Sequence, residues 1–390
     1  MRKSVGIHSD FLSYHKMSKR KYSVGTAALS IVIILVWTLT AFAYDINDKL
    51  SVGGVLAGAY QYQSIDDESD TFDDTGRGAL PVQPEISFTP TEKDEIFVKF
   101  GFAAGNGLNE ESPFILAPWA ADLEDDVKDI NGRNRDYLLT AWYKHTFQFA
   151  GDFNLALTGG IIDATDYLDE NAYSNDEYIQ FMNEALVNGP NAFLPSYDTG
   201  GAVELKYHAF SVKGVFMNIG ENDDGNNFNF YGMQLGYNLR TSLGEGNYRI
   251  NANFASKDFL DITGTSKESR QCLLISCDQE LGEILGAWIR FGFQDDEAAI
   301  TFEELFSGGI NIRGKLWGRE QDNIGIGYGY LDGGNAGIDK SQVAEGYLRF
   351  GLNDYVAAIL DVQYLDDEYI HGGGTDVNGW IVGARMTVEF

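Results

Sequence analysis

The sequence predicts an all-β protein, a transmembrane antiparallel β-barrel of about sixteen strands, and three observations lead there. Apolar residues alternate with small or polar ones over segments of roughly ten residues, as in strands with one greasy and one wet face. The connections between these segments mostly alternate long and short. Composition agrees, because 45 Gly, 21 Tyr and 25 Phe against 7 Pro favour strands and tight turns over helices. The chain has 390 residues, ample for one large fold, and 28 Lys+Arg against 58 Asp+Glu give a formal charge of −30. Phosphate binding needs a basic face, so nucleic acid is not expected as a partner.

The N-terminal region is the exception to the β pattern. The one long apolar run, 24–43, follows Lys19, Arg20 and Lys21 and ends in Ala41-Phe42-Ala43, the small-x-small pattern that signal peptidase reads. Residues 1–43 therefore read as a cleaved export signal; the alternative, a permanent anchor, has a run barely long enough to span. Met17 is a second candidate start, which makes 1–16 an upstream extension. The barrel domain is then 44–390. Because the leader holds most of its charge as Lys and Arg, the domain is more acidic than the whole chain.

From there, alternation places strands at about 49–64, 78–89, 95–105, 136–149, 153–162, 200–208, 211–220 and 228–242, and then at about 247–256, 281–294, 298–306, 310–318, 324–331, 343–352, 355–364 and 376–390. The last is the clearest: Trp380, Val382, Ala384, Met386, Val388 and Phe390 share one face, and Ile381, Gly383, Arg385, Thr387 and Glu389 the other. Short connections include Ala150-Gly151-Asp152, Gly244-Glu245-Gly246, Asp295-Asp296 and Asn353-Asp354, and long ones fall at 65–77, 106–135, 163–199, 257–280, 332–342 and 365–375. Only Ser307-Gly308-Gly309 is short where the pattern calls for long. Alternation alone also fits a soluble sandwich, but long loops on one side and tight turns on the other mark a bacterial outer-membrane barrel. Sixteen strands enclose an aqueous lumen and leave no edge unpaired. The terminal Phe390 looks like the signal read by the barrel assembly machinery. That machinery, outer-membrane lipid and lipopolysaccharide are the expected partners; monomer and homo-oligomer both stay open.

Within the longest loop, 175–188 predicts a helix: Asn175 caps, Asp176 and Glu177 suit its positive end, and Gly189-Pro190 stops it. Folded inward it would narrow the pore; lying outside it would cover the mouth. Cys272 and Cys277, in an exported chain, predict a disulfide clipping a loop, with free thiols as the alternative. No His lies near them and no loop has an EF-hand pattern, so neither a metal nor a cofactor is expected.

A family resemblance rests on particular residues. The run Gly160-Ile161-Ile162-Asp163-Ala164-Thr165-Asp166-Tyr167-Leu168-Asp169 leads on to Asn171, Tyr173, Gln180-Phe181-Met182-Asn183 and Pro195-Ser196-Tyr197. With Gly318-Arg319-Glu320-Gln321-Asp322, Glu345-Gly346-Tyr347-Leu348-Arg349-Phe350, Asp361-Val362-Gln363-Tyr364 and Gly383-Ala384-Arg385, it resembles the carbohydrate-selective outer-membrane porins of the OprB family. Leu360, where that pattern has a proline, is a departure of strand detail. The resemblance spans nearly all of 44–390 and implies a sixteen-stranded barrel passing small sugars by passive diffusion.

A sugar channel needs hydrogen-bonding groups for hydroxyls and aromatic faces for ring C–H groups. Inward positions supply Arg249, Arg290, Arg349 and Arg385 with Glu345, Asp361 and Glu389, and the aromatic Tyr347 and Trp288. Loop-borne Trp119, Tyr167 and Tyr173 are further candidates, and Asp163, Asp166, Asp169, Asn171, Asn175 and Asn183 belong to the expected constriction loop. Acidic loops, as at Asp66-Asp67-Glu68, Asp73-Asp74 and Glu124-Asp125-Asp126, predict a preference for cations. Asp163/Asp166/Asp169 or Glu303/Glu304 could pose as a glycosidase pair, but such pairs arise by chance in a chain this acidic, and neither GxSxG nor HExxH occurs. No enzymatic activity is expected. A general porin and an adhesive barrel remain as rivals.

Overall fold

The computed structural model describes residues 44–66 and 72–390. The expected export signal, 1–43, and Asp67-Glu68 lie outside them. The strands are β1 Leu50–Asp66, β2 Thr75–Thr91, β3 Asp94–Phe100 continued by Phe102–Ala104, β4 Leu138–Phe149, β5 Phe153–Ile162, β6 Asp198–Tyr207, β7 Phe210–Ile219 and β8 Phe228–Thr241. They continue as β9 Gly244–Leu260, β10 Lys267–Leu281, β11 Leu285–Gln294, β12 Phe302–Arg313, β13 Asn323–Gly333, β14 Ile338–Gly351, β15 Val356–Tyr369 and β16 Val377–Glu389. Each pairs antiparallel with its neighbour in sequence, and β16 returns to pair with β1, closing a barrel of sixteen strands. A short segment, Tyr44–Asn47, turns back onto β1. The terminal Phe390 seals the closure by exchanging both backbone hydrogen bonds with Gly54, at 2.8 and 3.0 Å.

The alternation is realised as two faces. On β16, Ile381, Arg385 and Thr387 are buried inside, whereas Trp380 and Val382 are 56% and 51% exposed outside. One rim carries the connections 92–93, 150–152, 208–209, 242–243, 282–284, 314–322 and 352–355; the other carries 67–74, 105–137, 163–197, 220–227, 261–266, 295–301, 334–337 and 370–376. Apart from 314–322 the connections of the first rim are tight turns, and the two longest, 105–137 and 163–197, lie on the second.

Two stretches differ from the sequence reading. Residues 257–280 are not a loop: most of them belong to β9 and β10. Their alternation is hidden in the middle of β10, where adjacent residues on both faces are apolar, Leu274 buried inside and Leu273 exposed outside. Conversely, 298–306 and 310–318 are not two strands, since Phe302–Arg313 runs through Ser307-Gly308-Gly309 without a turn. Gly309 is needed there for close approach: a Cβ would sit 2.7 Å from the Trp288 indole nitrogen. The two errors cancel in the strand count but place Asp295-Asp296 on the short-turn rim, whereas it lies on the long-loop rim. The disulfide is corrected too. Cys272 and Cys277 are both free. Five positions apart on one strand, they point to opposite faces.

Two loops fold into the interior. Loop 105–137 buries Leu108, Leu116, Trp119, Leu123 and Val127, and loop 163–197 buries Leu168, Phe181, Met182 and Leu186. They hydrogen-bond to each other, Ala120 N to Met182 O at 2.8 Å, Glu184 N to Ala117 O at 3.1 Å and Trp119 Nε1 to Glu177 O at 2.9 Å.

Candidate functional site: a lumen narrowed by two inner loops

Loop 163–197 folds inward, but its helix, α1, is only Glu184–Val187, capped by the Asn183 side chain on Ala185 N at 3.0 Å. The expected helix over 175–188 does not form because the wall claims its backbone groups. Glu345 accepts from Met182 N at 2.6 Å and Asn183 N at 2.9 Å, and Arg385 donates to the carbonyls of Glu177 and Gln180, the latter at 2.7 Å. Asp176 also turns the chain by accepting from Tyr178 N and Ile179 N. A strip of inward glycines on β13 receives α1, with Gly327 against Phe181 and Leu186 and Gly329 against Ala185.

The nine wall residues singled out from sequence all face inward, and most of them hold this loop. Arg290 and Asp169 form an ion pair at 2.8 Å with both side chains fully buried. The same guanidinium donates to Ser174 Oγ at 2.6 Å and to the carbonyls of Ser174 and Val187. Asp169 has a φ of 58°, a left-handed conformation held by Gly189 N on its carboxylate at 3.1 Å and by its own N–H on Gln234 at 2.9 Å. The Phe181 ring packs edge-on to Trp288 and Tyr347, centroids 5.7 and 5.1 Å away. Arg249 pairs with Asp278 at 2.6 Å and Arg349 with Glu389 at 3.5 Å; Asp361 accepts from Gln363 at 3.0 Å.

The loop residues divide similarly. Asp163 begins the loop, accepting from Thr165 N at 2.8 Å and Ser196 Oγ at 3.2 Å. Asn171 donates to Ser276 and Cys277 on β10, Asn175 accepts from Asn188, and Asn183 donates to Gln363. Tyr173 lies along Gly286 of β11, its hydroxyl 3.3 Å from Arg313 near the short-turn rim, so the loop spans most of the lumen's depth. Asp166 is exposed.

Loop 163–197 packs along β8–β16, its first turn also joining Ala202, Val215 and Met217 of β6 and β7, and loop 105–137 meets β1, β2 and β15; the least covered stretch of wall lies within β2–β7. Its charged side chains escaped the sequence reading. Lys99 pairs with Glu85 at 3.4 Å, Lys144 with Glu204 at 2.9 Å, and Lys213 with Glu170 at 2.5 Å. These groups are 14–39% exposed, against 0% for Arg290 and Asp169, which locates the accessible space beside them. The Lys144 ammonium lies 5.4 Å from the Trp142 ring and 5.7 Å from the Tyr167 ring, joining cation and aromatic faces. The period-two pattern carried the signal: Glu95, Phe97 and Lys99, then Thr140, Trp142 and Lys144, occupy alternate positions. Asp122 adds an acid from the other loop, hydrogen-bonded to Tyr197 Oη at 2.6 Å and Gln83 at 2.5 Å; burial, reinforced by Asp126, pushes its carboxyl up to about 6. Among the described residues no group of three or more His, Cys, Asp or Glu side chains is placed to hold a metal ion.

A closed sixteen-stranded barrel, segregated loops and a lumen narrowed by an inward loop define the porin-like fold of outer-membrane channels. The chain belongs to one family with an uncharacterized protein of Aquifex aeolicus (strain VF5), 32% identical over 323 residues that cover 80% of this chain and 90% of that one. No protein-family model matches it. In fold it is similar to the high-pH structure of Pseudomonas putida OprB, with a TM-score of 0.69 at 14% identity over 88% of this chain and 94% of that chain. It is also similar to the outer membrane channel DcaP of Acinetobacter baumannii, with a TM-score of 0.52 at 8% identity over 90% and 100% of the two chains.

Proposed function

We propose that the protein is a passive diffusion channel of the bacterial outer membrane that favours small sugars. Its long loops then face outward and its short turns face the periplasm. The observation that carries this reading is the β2–β7 wall. Three Lys–carboxylate pairs offer donors and acceptors side by side, and Trp142 and Tyr167 offer ring faces next to them. Hydroxyls need the first and the C–H faces of a pyranose need the second. Because each lysine is already compensated, an anion finds little uncompensated positive charge along this strip, while a neutral polyol exchanges hydrogen bonds with water at small cost. The resemblance to OprB-type porins supports the same choice.

A second reading, a cation-preferring channel without a sugar site, is favoured by Asp122, Asp163 and Asp166 facing the same space. Liposome swelling with the purified barrel separates the two. Sugar selectivity requires glucose and a disaccharide to enter faster than an amino acid of similar size, with competition at high concentration. Rates ordered by size alone would reduce the protein to a general porin.

A further inference from the structure

We infer that the channel has a second station for a polyhydroxylated solute, in a recess at its short-turn mouth; this rests on the sugar reading above. The recess, 580 Å³ in volume, lies between the Asp48-Lys49 turn, the β2–β3 turn and the end of β4. That falls within the range of small-molecule sites, about 300–1,000 Å³. Thr89, Glu95, Lys144 and Thr146 line it from inward strand positions, and Lys49 and Lys93 line it from the turns.

Three features make it part of the permeation path. Lys144 belongs both to the recess and to the ladder of ion pairs above, and Glu95 is its cross-strand neighbour in register. One inward step along β4, from Lys144 to Thr146, therefore leads from the ladder into the recess. Its frame is fixed by hydrogen bonds to backbone carbonyls: Thr146 N donates to Lys93 O at 2.8 Å, Thr89 N to Lys49 O at 2.7 Å, and the Lys49 side chain Nζ to Pro90 O at 2.8 Å. Finally, hydrogen-bonding capacity remains for a ligand. The Lys93 ammonium has no hydrogen-bond or ion-pair partner among the described residues, and the Glu95 carboxylate spends one bond, on Ser87 Oγ at 3.0 Å.

Among the described residues no aromatic ring lines the recess, so they offer it bonds to hydroxyls and no ring face. A neutral sugar leaving the Trp142–Tyr167 level would exchange onto Glu95, Lys93 and Thr146 before release. Two weak stations in series keep a bound solute from having to leave a deep well in one step, the general requirement of a conducting path.

The test is single-channel recording in planar bilayers with maltose added to one side at a time, on the wild type, Glu95→Gln and Thr146→Trp. Glu95→Gln keeps the shape and removes the charged acceptor; Thr146→Trp fills the recess. We expect maltose added from the short-turn side to block the current about tenfold more weakly in both variants, the loss of one hydrogen bond to a charged group. Block from the long-loop side stays within about twofold. Unchanged block from both sides, or equal loss from both, overturns the second station while leaving the sugar reading standing. Absence of maltose block from either side in the wild type overturns both.

Discussion

At the scale of single residues, the barrel wall uses charge to hold its own loop. Arg290 is the clearest case, since it and Asp169 are fully buried and Arg290 carries further bonds to Ser174 and Val187. Removing one partner leaves the other as an unpaired buried charge, at a cost of about 3–5 kcal/mol. Arg290→Ala is therefore expected to undock loop 163–197 while the strand ladder persists, raising single-channel conductance and open-channel noise. Arg240→Ala is the control, because its pair with Glu245 is 80% exposed on the arginine side and should matter by no more than about 0.5 kcal/mol. Equal conductance in the two variants would show that the pair does not hold the loop. Replacing both partners, as Arg290→Met with Asp169→Asn, should restore part of the wild-type conductance, because no charge is left buried and Asn tolerates the left-handed backbone and can still accept from Gly189 N.

At the scale of elements, the loop and the glycines of β13 form one packing unit. A Cβ at Gly327 would lie 3.0 Å from Phe181 and 3.1 Å from Leu186. Gly327→Leu then overpacks the trough by about 1–3 kcal/mol and should displace α1, seen as a larger conductance or as new protease cuts within 163–197. Gly214→Leu is the matched control: it faces outward, nothing lies within 4 Å of its Cβ, and the channel should behave as wild type. The same unit explains what was legible in the sequence. Period two is a local code, so it placed Arg249, Arg290, Glu345 and Arg385 inward from their own strands. What covers an inward residue is decided by distant chain, and that is why Arg290 and Arg385 read as open pore lining although the loop satisfies them. β10 failed for the same reason: with the loop inside and lipid outside, Leu273 and Leu274 are both apolar and the alternation vanishes. The helix was overextended because Glu345 and Arg385, far away in sequence, take the backbone groups that a helix would pair internally. The lysines of β3, β4 and β7 were within reach of the same rule and needed only its use on those strands.

For the whole molecule, the two loops make the lumen lopsided. Hydrophobic packing of loop 163–197 against the wall extends around to β10–β16 and leaves the part-exposed charged groups on β2–β7, and in the proposed channel ions and solutes pass beside them. There Glu85, Glu204 and Glu170 are matched by Lys99, Lys144 and Lys213, and the charge left to set ion selectivity comes from the loop acids. The acidic chain, at −30 overall, adds a diffuse attraction for cations at the mouth that salt screens. Asp122 makes the local contribution dependent on pH. Its carboxyl, raised by burial to about 6 from the ordinary 3.8, is charged at pH 7.5 and takes up a proton as the pH falls through 6. The folded state holds that proton more tightly than the unfolded chain, so acidification from 6 towards 4 stabilises this contact instead of breaking it. Cation preference should therefore weaken between pH 7.5 and 5 with the barrel intact, read as a reversal potential moving towards zero under a salt gradient. Asp122→Asn should begin from a smaller cation preference and fall less over the same range. A reversal potential independent of pH, or an Asp122→Asn channel that matches the wild type throughout, would place the selectivity at the outer loops, where ordinary carboxylates stay charged down to about pH 4.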